Sequence, residues 1–308
     1  MSELSTISVT VPATTANLGP GFDCLGAALS LYNQFVFSLT PVAETQIQAF
    51  GTEAERVVCD RTNLAYQAFA HFHQHVGQTP PNIKLEIKLG VPLARGLGSS
   101  ATAIVGGLVG ANWLAGQPLT TSEVLKLAIA LEGHPDNVAP ALLGGCCLAA
   151  TGLEADAWEI CDLAWAEHLV PIVAIPEFEL STRTARQVLP KACTYADAIF
   201  NTAHLGLLVR GLQTGRGDWL QAALQDQLHQ PYRQRLIPGY TAVHAAALAA
   251  GAHGLVISGA GPTLLALADA TKAPTVVAAI QTAWSTAAVT AQVQALQLDS
   301  QGAIAIQV

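Results

Sequence analysis

Two adjacent serines behind a glycine turn are well placed to meet a phosphate. Ser99 and Ser100 stand in the run Pro92, Leu93, Ala94, Arg95, Gly96, Leu97, Gly98, Ser99, Ser100, Ala101, Thr102. A strand-like alternation, Ile83–Leu89, precedes it. Apolar residues at helical spacing follow: Ala103, Ile104, Leu108, Ala111 and Leu114. The pattern predicts a strand, a glycine loop and a helix N-terminus. Such a terminus presents unpaired backbone N–H groups and the positive end of the helix dipole, which favour an anion. Gly96 and Gly98 would let the backbone approach a ligand closely. Ser99 and Ser100 can cap the helix, and a hydroxyl there can reach a phosphate-bound Mg²⁺. The same residues also suit a plain capped helix after a turn. The run is neither Gly-x-x-x-x-Gly-Lys-Ser/Thr nor Gly-x-Gly-x-x-Gly, since position 101 is Ala.

Other stretches also concentrate polar groups. Glu132, His134, Asp136 and Asn137 bring acidic, imidazole and amide groups within six residues. Residues 12–23 form a loop dense in Gly, Pro and small polar side chains that could line a site; it equally suits a strand-to-helix turn with Asp23 on the surface. Residues 258–263, Ser-Gly-Ala-Gly-Pro-Thr, read as a tight glycine turn after a strand, or a simple hairpin turn. His71, His73 and His75 alternate, but their segment reads as helix. There a period of two scatters them, so a solvated helix end is expected. The six cysteines show neither Cys-x-x-Cys nor zinc-type His spacing, so reduced, mostly buried thiols are expected.

The elements that must position these groups follow from periodicity. A first strand is expected over residues 6–11, a helix over 24–30 and a strand over 33–39. Asp60 to Asn63 opens a helix running to about Val76. Thr120 and Glu123 form a capping box for a helix to Leu131. A short apolar helix and a Gly-Gly turn follow Asn137, then a strand over 146–150. Residues 151–166 change character, with Glu154, Asp156, Glu159 and Asp162, and a domain boundary is placed near 155–168, giving domains 1–162 and 163–308. Beyond it the pattern gives a strand over 169–175 and helices over 181–189, 194–212, 218–225 and 240–249. Strands over 254–257 and 264–267, a helix over 273–287, and strands over 290–295 and 303–308 complete it. Strands and helices mix without Rossmann-type alternation, so the fold class is α+β.

Length and composition agree. The 308 residues are 51% hydrophobic and 12% charged, which supports a large core and argues against disorder. The net charge of −8 argues against a broad nucleic-acid surface but permits a local basic pocket. Residues 96–122 and 237–268 lack Asp, Glu, Lys and Arg, yet polar residues, glycines and proline interrupt them. They read as buried elements of a soluble core rather than bilayer spans. Met1 to Thr6 has no basic segment followed by an apolar one, so a cytoplasmic protein without signal peptide is expected.

Pro-x-x-x-Gly-Leu-Gly-Ser-Ser-Ala over Pro92–Ala101 resembles the phosphate loop of the GHMP small-molecule kinases. Residues 12–23 and 254–263 match that family's other two motifs in order and spacing, so the resemblance covers essentially the whole chain. Pro-Ala-Thr-Thr-Ala-Asn-Leu-Gly-Pro-Gly-Phe-Asp at 12–23 is similar to the branch that acts on homoserine; galactokinases and mevalonate kinases carry other wording there. The segments 132–140, 181–190 and 230–239 match that branch too. The resemblance implies two domains, an N-terminal ribosomal protein S5 domain 2-like one that binds ATP and a C-terminal ferredoxin-like one. It implies ATP and Mg²⁺ as cofactors and L-homoserine as substrate, no nucleic-acid or membrane partner, and is compatible with a homodimer. The loop from Pro92 to Thr102 would wrap the phosphates, Ser100 and Glu132 would hold Mg²⁺, and Asn63 would contact the nucleoside. Asn17, Asp23, His134, Asn137, Thr182, Arg186 and Arg233 would surround the amino acid, with Asp23 on its ammonium and Arg186 and Arg233 on its carboxylate. Without the family, an arginine's ordinary place is a surface ion pair. Catalysis would fall to His134, Asn137 and Arg186. Mevalonate-type relatives carry an Asp base and a Lys; here Asn137 resembles the Asp position, and Ala13 or Thr14 stands where the Lys would be. Asn cannot serve as a base, so direct transfer is expected, with His134 as the rival base. Another GHMP kinase, or a binding regulator on the same fold, is the alternative.

Overall fold

The computed structural model describes residues 6–42, 44–154 and 157–308, so residues 1–5 at the expected leaderless N-terminus, and Asp156, lie outside the described residues. In chain order the first elements are β1 (Thr6–Ala16), β2 (Leu25–Leu39), β3 (Gln46–Gly51), α1 (Leu64–His75) and β4 (Ile83–Leu89). Next come α2 (Ser99–Leu114), α3 (Thr121–Glu132), α4 (Pro135–Leu143), β5 (Cys146–Thr151) and β6 (Trp158–Leu163). The second half contains β7 (Leu169–Pro176), α5 (Thr182–Gln187), α6 (Tyr195–Thr214), α7 (Gly217–Ala223), α8 (Gln230–Arg233) and α9 (Tyr240–Ala249). It ends with β8 (Gly254–Ile257), β9 (Leu264–Asp269), α10 (Ala273–Thr286), β10 (Ala291–Ala295) and β11 (Ile304–Gln307).

The first sheet has seven strands, ordered β11-β1-β2-β4-β3, with β5 pairing β2 and β6 pairing β5. The second has four antiparallel strands in the order β10-β7-β9-β8. With α9 before β8 and α10 before β10, that half shows the strand-helix-strand-strand-helix-strand plan of ferredoxin-like folds. The chain crosses between sheets after β6 and returns in β11, which pairs with β1. The mixture of sheets and helices is the expected α+β class.

Local signals explain most boundaries. Asn63 caps α1, accepting from the Ala65 and Tyr66 N–H groups, and capping boxes open α3 (Thr120, Glu123) and α6 (Thr194, Asp197). The expected helix over 24–30 is instead the start of β2. Its apolar run is buried because it pairs with β1 on one side and β5 on the other. Such short runs fit a buried strand and a buried helix equally by period. The strands β3 and β6 were not expected. His73 is not at a solvated helix end: it is buried against Phe69 and Phe72. Nor are the thiols mostly buried, since Cys59, Cys161 and Cys193 are exposed; all six are free.

One core lies between the first sheet and α1 to α4, around Phe35, Phe37, Phe69 and Leu108. A second lies between the second sheet and α9 and α10, around the fully buried Trp284. A third joins the two halves, with Leu18, Leu25 and Leu97 meeting Val173, Leu208 and Val256. No helix among the described residues is long and apolar enough to cross a membrane. The α2 glycines let the helix lie on the sheet: a Cβ on Gly110 would sit 2.4 Å from the Phe37 ring. Gly110→Ala is therefore expected to destabilise the protein by about 1–3 kcal/mol. Urea unfolding measures it, and an unchanged midpoint would show that the ring yields freely.

Candidate active site

The glycine loop sits where three separated stretches converge. Gly98, at φ 68°, is the residue before α2, so Ser99 and Ser100 open the helix rather than cap it. The Thr102 N–H donates to the Gly98 carbonyl at 2.9 Å, closing the first turn and leaving the preceding N–H groups free to meet a ligand. A Cβ on Gly98 would lie 2.0 Å from Thr14 Oγ1, and one on Gly96 would lie 2.4 Å from the Ser258 carbonyl. The loop is thus seated between the end of β1 and the turn over 258–263. Both positions also have positive φ, so glycine answers two constraints there.

A cavity of about 360 Å³ opens at this point. It gathers Asn17, Asp23, Ala94, Arg95, Gly96, Gly98, Ser99, Ser100, Glu132, His134, Asn137, Thr182, Arg186 and Arg233, all expected from the sequence, together with Asp136, Ser181 and residues 259–261. A second, largely apolar cavity of about 340 Å³ shares Ser99 and Ser100 and is lined by Phe35, Val57, Asn63, Leu64 and Leu93. The cavities meet at the helix terminus. Asn63 forms part of the second wall, but its side chain is engaged: the oxygen caps α1 and the nitrogen donates to the Val58 carbonyl at 2.8 Å. Pro92, Leu97, Ala101 and Thr102 reach neither cavity. Leu97 and Ala101 are core residues. The Thr102 hydroxyl joins Asn33 to the Ser99 carbonyl.

At one end of the first cavity lie acidic and basic side chains from three separated segments. Asn17, in the left-handed conformation, donates to the Gly259 carbonyl at 2.7 Å and accepts from the Asp23 N–H at 2.9 Å. Asp23, also left-handed, faces Arg186 in a two-pronged ion pair of 2.9 and 2.8 Å. This is the partner that the sequence left open. The pair is partly exposed and contributes about 0–1 kcal/mol, so it rearranges easily. Arg233 differs: it is only 2% exposed. Among the described residues its partners are the Ala185 and Gly259 carbonyls and the His229 ring, with no carboxylate. Burial, with Arg186 nearby, pushes its guanidinium down to about 10. The His229 Nε2–H donates to the Gly19 carbonyl, leaving Nδ1 as acceptor for Arg233, and the ring stacks on Phe22. Asp226 accepts from the N–H groups of Leu228, His229 and Gln230 and fixes this turn. Sequence reasoning missed Phe22, Asp226 and His229, although Asp226, His229 and Arg233 stand at helical spacing.

At the other end lie the groups nearer the N-terminus of α2. The Ser100 hydroxyl donates to Glu132 Oε1 at 2.6 Å. Burial raises the Glu132 carboxyl above its ordinary value. Its hydrogen-bond partner is a hydroxyl rather than a cation, which leaves hard oxygens for a divalent ion that also takes water and phosphate oxygens. The His134 ring contacts buried Asp136 at 2.6 Å through Nδ1, and this bond holds the imidazole above its ordinary pKa. Asn137 Oδ1 accepts from the Thr14 hydroxyl at 2.8 Å, and its nitrogen donates to Asp136 at 3.2 Å. Thr14, rather than the core residue Ala13, therefore faces Asn137. Neither is a base.

Two family profiles match the chain: the GHMP kinases N terminal domain over residues 63–145 and the GHMP kinases C terminal domain over residues 208–286. The chain belongs to the GHMP kinase family. It is 66% identical over 303 residues to the homoserine kinase of Trichormus variabilis, covering 98% of this chain and all of that protein. The homoserine kinase of Thermosynechococcus vestitus is 60% identical over 294 residues, 96% of this chain and 97% of its own length. Among solved structures, homoserine kinase from Cytophaga hutchinsonii superposes with a TM-score of 0.90 at 30% identity, covering 99% of both chains. The mevalonate kinase of L. major shares the fold at a TM-score of 0.71 and 18% identity, over 94% of this chain and 95% of that one.

Proposed function

We propose that the protein transfers the γ-phosphoryl group of ATP to the side-chain hydroxyl of L-homoserine, giving O-phospho-L-homoserine for threonine biosynthesis in the cytoplasm. The observation that carries this reading is a phosphate-loop terminus whose cavity also holds an amino-acid set of charges, in a chain 66% identical to a homoserine kinase. The two domains are taken as 1–162 and 163–308, with β11 of the second completing the sheet of the first. The apolar cavity takes the nucleoside, shaped by Asn63, and the backbone of residues 94–96 and 98–100, at the N-terminus of α2, takes the phosphates. Ser100 and Glu132 are the residues that would hold Mg²⁺, which when bound would offset charge on the phosphates. The amino acid places its carboxylate at Arg233 and Arg186 and its ammonium at Asp23, exchanging the Asp23–Arg186 pair for contacts to the zwitterion. Asn17 and Thr182 complete the walls. An ADP-release screen over small amino alcohols tests the reading; turnover that is no greater with homoserine than with other alcohols overturns it.

The hydroxyl proton passes to the transferred phosphate or to solvent, because positioning and charge stabilisation supply most of this catalysis. Asn137 orients the hydroxyl, itself oriented by Thr14 and Asp136. His134, kept toward its cationic form by Asp136, is less often in the neutral form that a base requires, and contributes charge instead. The sign of the pH dependence separates the routes. A base must be neutral, so a base route fails as pH falls through the raised histidine value, and removing the base costs about 10²–10⁴. On the direct route His134→Gln loses less than about a hundredfold and leaves the acid side of the profile unchanged. Single-turnover transfer across about pH 5–9 measures this. A loss above about a thousandfold, with the acid limb gone, would establish His134 as the base.

A further inference from the structure

Behind the glycine loop four charged residues form a network that touches both halves of the site. Arg95 is the one charged residue of the loop, and its side chain is nearly buried. Its side chain is held by main-chain acceptors. Its Nε donates to the Pro176 carbonyl at 3.0 Å, and its terminal nitrogens donate to the Leu93 and Glu177 carbonyls. It also faces Glu53 at 3.4 Å and Glu179 at 3.3 Å. Arg56 closes the ring, pairing with Glu53 at 2.6 Å and with Glu179. Glu53 accepts from the Leu93 N–H at 2.8 Å.

The ends of this ring are what matter. Arg56 lines the apolar cavity assigned to the nucleoside. Glu179 lies three residues before Thr182, on the segment that carries Ser181, Thr182 and Arg186 to the amino-acid end. The same segment touches the loop directly, the Leu180 N–H facing the Ala94 carbonyl at 3.5 Å. Glu53 and Ala94 are both non-glycine residues with positive φ, 66° and 53°. Such backbone persists only where the surroundings over-determine it. The ring thus links the wall of one cavity to the segment that lines the other.

Resting on the functional reading above, we propose that Glu179, through Arg95 and Arg56, is a positioning residue that couples the two sites, so that nucleotide and amino acid tighten each other's binding. Such coupling is reciprocal. The experiment is titration of a non-hydrolysable ATP analogue with Mg²⁺, with and without saturating homoserine, on the full chain. In the wild type homoserine is expected to lower the analogue's Kd by about fivefold or more. Glu179 lines neither cavity, so Glu179→Gln should leave the Kd for the analogue alone within about threefold and its thermal midpoint near that of the wild type, while bringing the ratio to within about twofold of one. Adding Arg56→Gln to Glu179→Gln should reduce the ratio no further, because both act through one ring. A merely structural role would shift the midpoint and spare the ratio. A Glu179→Gln ratio equal to that of the wild type overturns the proposal, as does a wild-type ratio near one in a protein that phosphorylates homoserine. If the wild type does not phosphorylate homoserine, the functional reading fails first and the proposal falls with it.

Discussion

Glu132→Gln is expected to lower turnover by about a hundredfold or more while nucleotide affinity changes little. The substitution is nearly isosteric, and its amide oxygen can still accept the Ser100 hydroxyl that now lies 2.6 Å from the carboxylate. What disappears is one negative charge in a place where burial already raises the carboxyl. A carboxylate held there at a desolvation cost, hydrogen-bonded to a hydroxyl and with the His134 imidazole as its nearby counter-charge, still has oxygens to offer a cation that arrives with the nucleotide. On the proposed reading, nucleotide binding draws on other parts, namely the helix terminus, the loop backbone and the apolar cavity, so affinity and turnover separate. Rapid-mix turnover and analogue binding on the same preparation measure both. Turnover within about threefold of wild type, roughly 0.7 kcal/mol in barrier, would remove Glu132 from the phosphate end altogether.

The loop and the residues it faces were legible because their chemistry is local. A glycine run between alternating and helical patterns locates a helix terminus, and a capping residue or box marks the starts of α1 and α3. What was hidden depends on contacts distant in sequence. Asp23 and Arg186 stand 163 residues apart, so each read as a separate ligand for the amino acid and not as a pair. Thr14 and Asn137 stand 123 apart, and only the fold selects Thr14 over Ala13. The misread segment over 24–30 has a similar cause: its burial comes from two flanking strands, and period alone cannot separate such a strand from a helix. Arg95 shows the limit differently. Its place in the loop pointed to backbone contacts with phosphates and says nothing of its side chain, whose partners Pro176 and Glu177 stand 81 and 82 residues away.

Arg233→Lys is expected to raise the Michaelis constant for homoserine by about 10- to 150-fold, and that for ATP by less than about threefold. The buried guanidinium lacks a carboxylate partner among its described neighbours, so it has capacity for an incoming one. Lysine keeps the charge but loses the planar fork that can meet a carboxylate while also holding carbonyls. It also loses the contact to His229 that orients the group against Phe22. Folding is controlled by the thermal midpoint, since the Ala185 and Gly259 carbonyls would lose donors. The decisive comparison uses homoserine amide, which lacks the carboxylate charge. If Arg233 reads that charge, the wild type should lose about as much on the amide as the variant loses on homoserine, and the two losses should not add. Additive losses would place the carboxylate elsewhere, with Arg186 alone as its partner. An equal rise for ATP and homoserine would mean that Arg233 holds the α5 segment in place and reads nothing. The first outcome is favoured because a cation at 2% exposure, ringed by neutral acceptors, is costly unless an anion comes to it.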